Sequence, residues 1–130
     1  AKMEKLTQTN YVDLAEKVIV KDLERDKRGN FRLTNSKIRN LLSLVNNLYT
    51  DVARTGGSDE KLSETIEGKI QYIRLRFVYE AGREKSVKDF VEKADIIKHL
   101  QRIETRSDLL LFCRYMEALV AYHKFNGGRD

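Results

Sequence analysis

Lys69, Tyr72, Arg76, Tyr79 and Arg83 recur every three or four residues, so a helix sets them in a single stripe. Cations at that spacing can hold a phosphate backbone, and tyrosine rings between them can stack on unpaired bases. That chemistry suits a single strand better than a duplex. The competing assignment has the tyrosines edging the core and the arginines paired with Glu67, Glu80 or Glu84. Arg74 points to another side of the same helix. A second basic cluster, Lys27, Arg28 and Arg32 around Phe31, reads as a mobile loop ahead of a helix N-terminus, where side chains and free N–H groups could meet phosphate. Phe31 is expected to tuck into the core while the charges stay outside. Lys37 and Arg39 follow on opposite flanks of the next helix and are not expected to act as one contact.

Bond-breaking chemistry finds little equipment. The two histidines, His99 and His123, lie far apart. His99 has Asp95 one turn earlier, too few ligands for a tightly held metal, so it reads as a surface histidine on an amphipathic helix. His123 reads as a satisfied core or interface residue. The single cysteine, Cys113, sits in an apolar run and behaves as a small hydrophobe that cannot form an internal disulfide. Neither Gly56-Gly57 nor Gly127-Gly128 is followed by the Lys-Ser/Thr of a phosphate loop, and no Gly-x-Ser-x-Gly occurs. Glu60, Glu64 and Glu67 fall at helical spacing, but on a lysine-rich surface they read as a solvated face. The expectation is a protein that is not an enzyme, with no cofactor and no metal.

Helices must carry these side chains, because the chain contains no proline and its apolar residues keep a helical period throughout. A first helix follows a cap at Thr9 or Asn10, with Tyr11, Leu14, Ala15, Val18 and Ile19 inward, and ends in the polar stretch from Asp26 to Asn30. A second, capped by Thr34 or Ser36, turns Ile38, Leu41, Leu42, Val45, Leu48, Tyr49 and Val52 inward. Thr55 to Ser58 closes it and opens the third, with Asp59 and Glu60 in a first turn. Leu62, Ile66, Ile70, Ile73, Phe77 and Ala81 form the inward stripe of that third helix. Gly68 marks a kink or close backbone contact, and Gly82 the end. Ser86 to Asp89 is a capping-box pattern opening a fourth helix, with Phe90, Val91, Ala94, Ile97 and Leu100 inward.

Thr105 to Asp108 repeats the pattern before the last helix. There Leu109, Phe112, Cys113, Met116, Val120 and His123 make one face, and Leu111, Tyr115, Ala118, Tyr122 and Phe125 a second. A helix apolar nearly all round is central to the fold or meets a partner. Gly127 and Gly128 supply its left-handed stop. The predicted fold is all-α, a compact bundle of about five helices forming a single helical domain over 1–130.

With 130 residues, 35% charged and 41% hydrophobic, the chain has the make-up of one globular domain. Its formal charge of +5 permits an anionic partner without proving one. No run approaches a membrane span and no signal-peptide pattern opens the sequence, so no membrane partner is expected and the cytoplasm is the expected compartment.

Several segments carry a resemblance in the right order: N-Y-V-D-L-A-E-K from Asn10, G-N-F-R-L-T-N-S-K-I-R-N-L-L-S-L from Gly29, R-F-V-Y-E-A-G-R from Arg76, V-K-D-F-V-E-K-A from Val87, and F-C-R-Y-M-E-A-L-V-A-Y-H-K-F-N-G-G from Phe112. Together they closely resemble the small-subunit family of the type III-A CRISPR effector, the Csm complex; residues 54–68 lie outside the resemblance. It implies a non-catalytic helical subunit lining the groove that holds crRNA and target RNA in antiviral defence. Its implied partners are the backbone and large subunits of that complex and other copies of itself, and cleavage belongs to those other subunits. Two rivals remain at this point. One is a helical DNA-binding regulator using Leu33 to Asn40 as the start of a recognition helix; the other is a purely protein-binding adaptor.

Overall fold

The structure is a computed structural model and describes residues 4–55 and 61–130. Among them lie six α-helices: α1 (Tyr11–Lys17), α2 (Asn35–Thr55), α3 (Glu64–Arg83), α4 (Lys85–Lys93), α5 (Ile96–Gln101) and α6 (Arg106–Phe125). The all-α bundle follows the apolar periodicity. The added helix arises at Asp95, whose left-handed backbone (φ 53°) divides the expected fourth helix into α4 and α5.

α6 is the central helix. It packs against α1, the π-helical turn that continues α1 (Val18–Asp22) and α2. Leu109, Phe112, Cys113, Tyr115, Met116, Leu119 and His123 are all buried along it. The capping box at its start forms as expected: Asp108 N–H donates to Thr105 Oγ1 (3.1 Å), and Thr105 N–H donates to the Asp108 carboxylate (3.2 Å). Gly127 takes the left-handed conformation (φ 102°) at its end. Phe125, expected on the second apolar face, is 84% exposed; it lies two residues, about 200° round the helix, from the buried His123.

α2 joins the two halves of the bundle by packing on both α6 and α3. Thr34 caps it, accepting from Lys37 N–H. Ser36 is occupied differently: its N–H (2.8 Å) and hydroxyl (2.6 Å) both donate to the Asp130 carboxylate, while Asn35 N–H donates to the Arg129 carbonyl (3.1 Å). Arg129 and Asp130 thus clasp the start of α2. Ile38, Leu41, Val45, Leu48 and Val52 are buried; Tyr49 stands at the rim of that arc and reaches solvent, contrary to expectation.

α3 buries Ile66, Ile70, Ile73 and Phe77 against α2, α4 and α5. The cap and first turn expected at residues 58–60 lie outside the described residues; α3 begins at Glu64, with Ser63 Oγ accepting from Ile66 N–H (3.2 Å). Among the described residues no atom outside the helix's own backbone and the adjoining residues lies within 4 Å of where a Cβ would stand on Gly68, so no close backbone contact is seen there. Gly82 does not stop the helix, which runs on to Arg83 and breaks at the extended Glu84. The capping box expected at Ser86 also fails. Ser86 is already inside α4, and the Asp89 carboxylate instead accepts from Glu24 N–H (2.9 Å) and Lys93 Nζ (2.6 Å). A long-range tie to the segment after α1 wins over the local cap.

Candidate nucleic-acid interface

α2 and α3 lie side by side, and the groove between them runs up to the start of α4. Lys37, Asn40, Leu41 and Leu44 line it from α2, Arg76, Glu80 and Arg83 from α3, and Glu84 and Val87 beyond. It brings three of the sequence-predicted cations together, Lys37, Arg76 and Arg83, and sets two carboxylates among them. How tightly each carboxylate holds its cations decides what the groove can do.

Lys37 Nζ donates to Glu84 at 2.5 Å, a bond that holds the Glu84 carboxyl below the ordinary carboxylate range. Lys69, further along the stripe, is likewise engaged, with Asp51 at 2.6 Å. The arginines are held loosely. Glu80 lies 3.7 Å from Arg76 and 3.4 Å from Arg83, and Arg76 Nη1 is 3.5 Å from the Tyr72 hydroxyl. Arg76 Nε is buried and finds no partner among the described residues. A guanidinium with one donor orphaned and the others at the limit of hydrogen-bond distance loses little by turning to a better acceptor. Arg83 also lies 5.7 Å over the Tyr79 ring, and Tyr72 and Tyr79 are exposed rather than edging the core. The spacing yields an exposed aromatic–cationic edge, and the arginines pair with Glu80 as the competing assignment expected, while the tyrosines do not edge the core.

The second basic cluster stands apart from this groove, on a tight turn rather than a mobile loop. The Asp26 carboxylate accepts from Arg28 N–H (2.8 Å) and Asn30 N–H (3.0 Å), bonds to Asn30 and Arg28 that hold its pKa down. Asp26 N–H donates to the Asn30 carbonyl (2.8 Å), and Gly29 takes φ +84°. Lys27 and Arg28 project into solvent, while Arg32 is paired with Glu24 at 2.9 Å. Arg39 lies on the other flank of α2 from Lys37, exposed and in the field of Asp130. Phe31 does turn inward, stacking on His123 at 4.8 Å. Arg25 is the residue that sequence reasoning passed over: its guanidinium lies 3.9 Å above Phe31 and donates to the Gly29 carbonyl at 2.7 Å. The cue was a cation placed symmetrically with Phe31 about the turn.

The histidines are both interior. His123 is buried as expected, with its Nε2 2.8 Å from the Leu33 carbonyl, but its Nδ1 is buried without a hydrogen-bond partner among the described residues, so the ring is only half satisfied. His99, expected on the surface, is only 6% exposed and meets Tyr115 edge-on at 5.1 Å. The turn at Asp95 rotates α5 so that His99 faces α6. Burial lowers the His99 pKa to about 4 and pushes the Cys113 thiol up to about 12. Neither is a poised acid, base or nucleophile at neutral pH. Among the described residues no three His, Cys, Asp or Glu side chains cluster to hold a metal, and no helix is long and apolar enough to cross a membrane.

Residues 6–129 match the family described as Csm2 Type III-A. A Streptococcus thermophilus protein named CRISPR system Cms protein Csm2 is 51% identical over 125 residues, which cover 96% of this chain and 98% of the relative. Its namesake from Mycobacterium tuberculosis strain H37Rv is 41% identical over 124 residues, 95% of this chain and 96% of the relative. The Enterococcus italicus protein of the same name is 43% identical over 96 residues, 72% of this chain and 67% of the relative. The agreement spans the bundle from the approach to α1 to the clasp after α6, and the chain belongs to the Csm2 family, the small subunit of the type III-A CRISPR complex.

Proposed function

We propose that this subunit lines the path of crRNA and target RNA in the cytoplasmic Csm complex, holding the phosphate backbone without reading sequence and without breaking bonds. The observation that carries the reading is the loose grip of Glu80 on Arg76 and Arg83, beside the exposed rings of Tyr72 and Tyr79. A phosphate oxygen approaching that edge offers a charge-assisted bond shorter than either contact to Glu80. Tyr72 and Tyr79 border the strand as stacking surfaces. Lys27 and Arg28, at the tip of their turn, supply further phosphate contacts, and Arg39 one more. Lys37, Lys69 and Arg32, already in close pairs, contribute to the general field and act as contacts only once their carboxylates are released. Discrimination between sequences is left to base pairing.

The test compares labelled single-stranded RNA and duplex DNA at several salt concentrations. With about four to six phosphates engaged, log affinity for RNA is expected to fall with log salt at a slope of about −3 to −4. Arg76→Glu with Arg83→Glu weakens RNA association while leaving helicity and melting unchanged, and Arg74→Glu does less. Equal losses from all three changes mean general attraction, not a defined track. Preference for duplex DNA supports a regulator, and binding to neither supports a protein adaptor.

A further inference from the structure

α3 carries large apolar side chains where a solvated helix would carry charge. Leu75 is 61% exposed and lies on the side of the helix opposite the buried Ile66, Ile73 and Phe77, so it points away from the core. Tyr72 (57%), Val78 (53%) and Tyr79 (58%) surround it. Tyr72, Leu75 and Val78, with Gln71 and Arg74, border a shallow depression on this outer side. Four such residues within about two helical turns form a contiguous patch of the kind that marks an interaction site.

Three occupants compete, and the surroundings separate them. Bases stack on flat rings, and the centre of the patch is the branched aliphatic pair Leu75 and Val78, which offers none. A second copy packed antiparallel about Leu75 brings Arg76 against Arg76 and leaves Lys69 and Arg83 facing cations, a like-charge edge. Parallel pairing sets that basic edge against Gln71, Arg74 and Val78, so that Arg76 meets Arg74, while Glu67, the carboxylate on that margin, lies beyond the patch beside Lys69, which Asp51 already engages. A partner with carboxylates beside its apolar residues fits both features. Arg74 on one margin donates to Gln71 (3.1 Å), and Arg76 on the other is held loosely by Glu80.

We propose that this outer face of α3 docks a neighbouring protein subunit of the Csm complex through an apolar segment edged with carboxylates, Tyr72 and Tyr79 marking the seam between that contact and the RNA edge. The inference rests on the reading of the chain as an assembly subunit but not on its RNA contacts.

The experiment uses the full chain carrying Leu75→Asp and Val78→Asp, mixed with the remaining subunits assembled on guide RNA and read by native mass spectrometry. Both positions are exposed, so melting and free-chain RNA affinity are expected to stay within about twofold of the parent, while incorporation falls by about tenfold or more. Arg74→Glu reduces incorporation about fivefold and Arg74→Lys restores it, because the partner's edge is acidic. Normal incorporation of the double variant overturns the proposal. So does a matched loss of free-chain RNA affinity, which assigns the face to RNA, or concentration-dependent dimers in the parent that vanish in the variant, which assign it to a second copy. Failure of the Arg76 and Arg83 variants to weaken RNA binding strikes the RNA reading alone.

Discussion

His99→Phe is expected to flatten the acid limb of this protein's stability profile. His99 is buried against Tyr115; desolvation, opposed by Asp95 and reinforced by Arg102, lowers its pKa from 6.5 to about 4. In the unfolded chain the imidazole takes its proton more readily, so the folded state is fully favoured above pH 6.5 and loses ground as pH falls from 6.5 towards 4. At about 1.4 kcal/mol per decade the loss is about 0.8 kcal/mol at pH 6, about 2 at pH 5 and about 3 at pH 4, and saturates at ~3.5 below that. Phenylalanine keeps the edge-on contact and cannot charge. Urea unfolding followed by circular dichroism at pH 7.5, 6 and 5 measures both proteins. Asp26, Glu84 and Asp130, whose carboxyls are held low by their hydrogen bonds, also weaken the fold on acidification, but they are common to both chains and cancel in the difference. The parent should lose about 2 kcal/mol more than the variant between pH 7.5 and 5. A difference independent of pH, or an NMR titration placing His99 near 6.5, would refute the argument.

Thr105→Ala should cost about 1 kcal/mol by removing the cap of α6, whereas Ser86→Ala should change stability by less than about 0.5 kcal/mol; denaturant midpoints check both. Gly68→Ala should stabilise the free subunit by about 0.5–1 kcal/mol, since its Cβ enters open space in a helix interior. Gly128→Ala should destabilise by about 1–3 kcal/mol, because its Cβ falls 2.2 Å from His123 Nδ1 and 2.6 Å from the His123 carbonyl oxygen; paired thermal melts give both signs. Glu80→Gln removes the counter-ion shared by Arg76 and Arg83 and should raise single-stranded RNA affinity several-fold. A fall would mean that Glu80 positions the arginines rather than competing for them.

Strict periodicity made most of the core legible. Ile38, Leu41, Val45 and Leu48 on α2, and Ile66, Ile70, Ile73 and Phe77 on α3, are buried as their spacing requires. What escaped was decided by partners distant in the chain. Ser86 to Asp89 has the letters of a capping box, but Asp89 bonds the backbone of Glu24, 65 positions away. His99 looked solvated because the helix period was carried unbroken through Asp95, where the backbone turns left-handed without a glycine to announce it. The same holds for the candidate interface. The spacing from Lys69 to Arg83 was readable as a stripe, but which cations were spoken for was not. Asp51 engages Lys69 from another helix and Glu84 engages Lys37 across 47 positions, while Arg76 and Arg83 share only their near neighbour Glu80.

The placement of α6 has a bearing on synthesis. It packs on α1, on the turn that extends it and on α2, so the first helices to leave the ribosome cannot bury their apolar sides until the last has followed. A nascent chain halted before Arg106 would leave α1, its π-helical extension and one side of α2 without the helix that covers them. Folding should thus be close to all-or-none once α6 has emerged, and a product truncated before α6 should meet chaperones and proteases before it meets the rest of the effector.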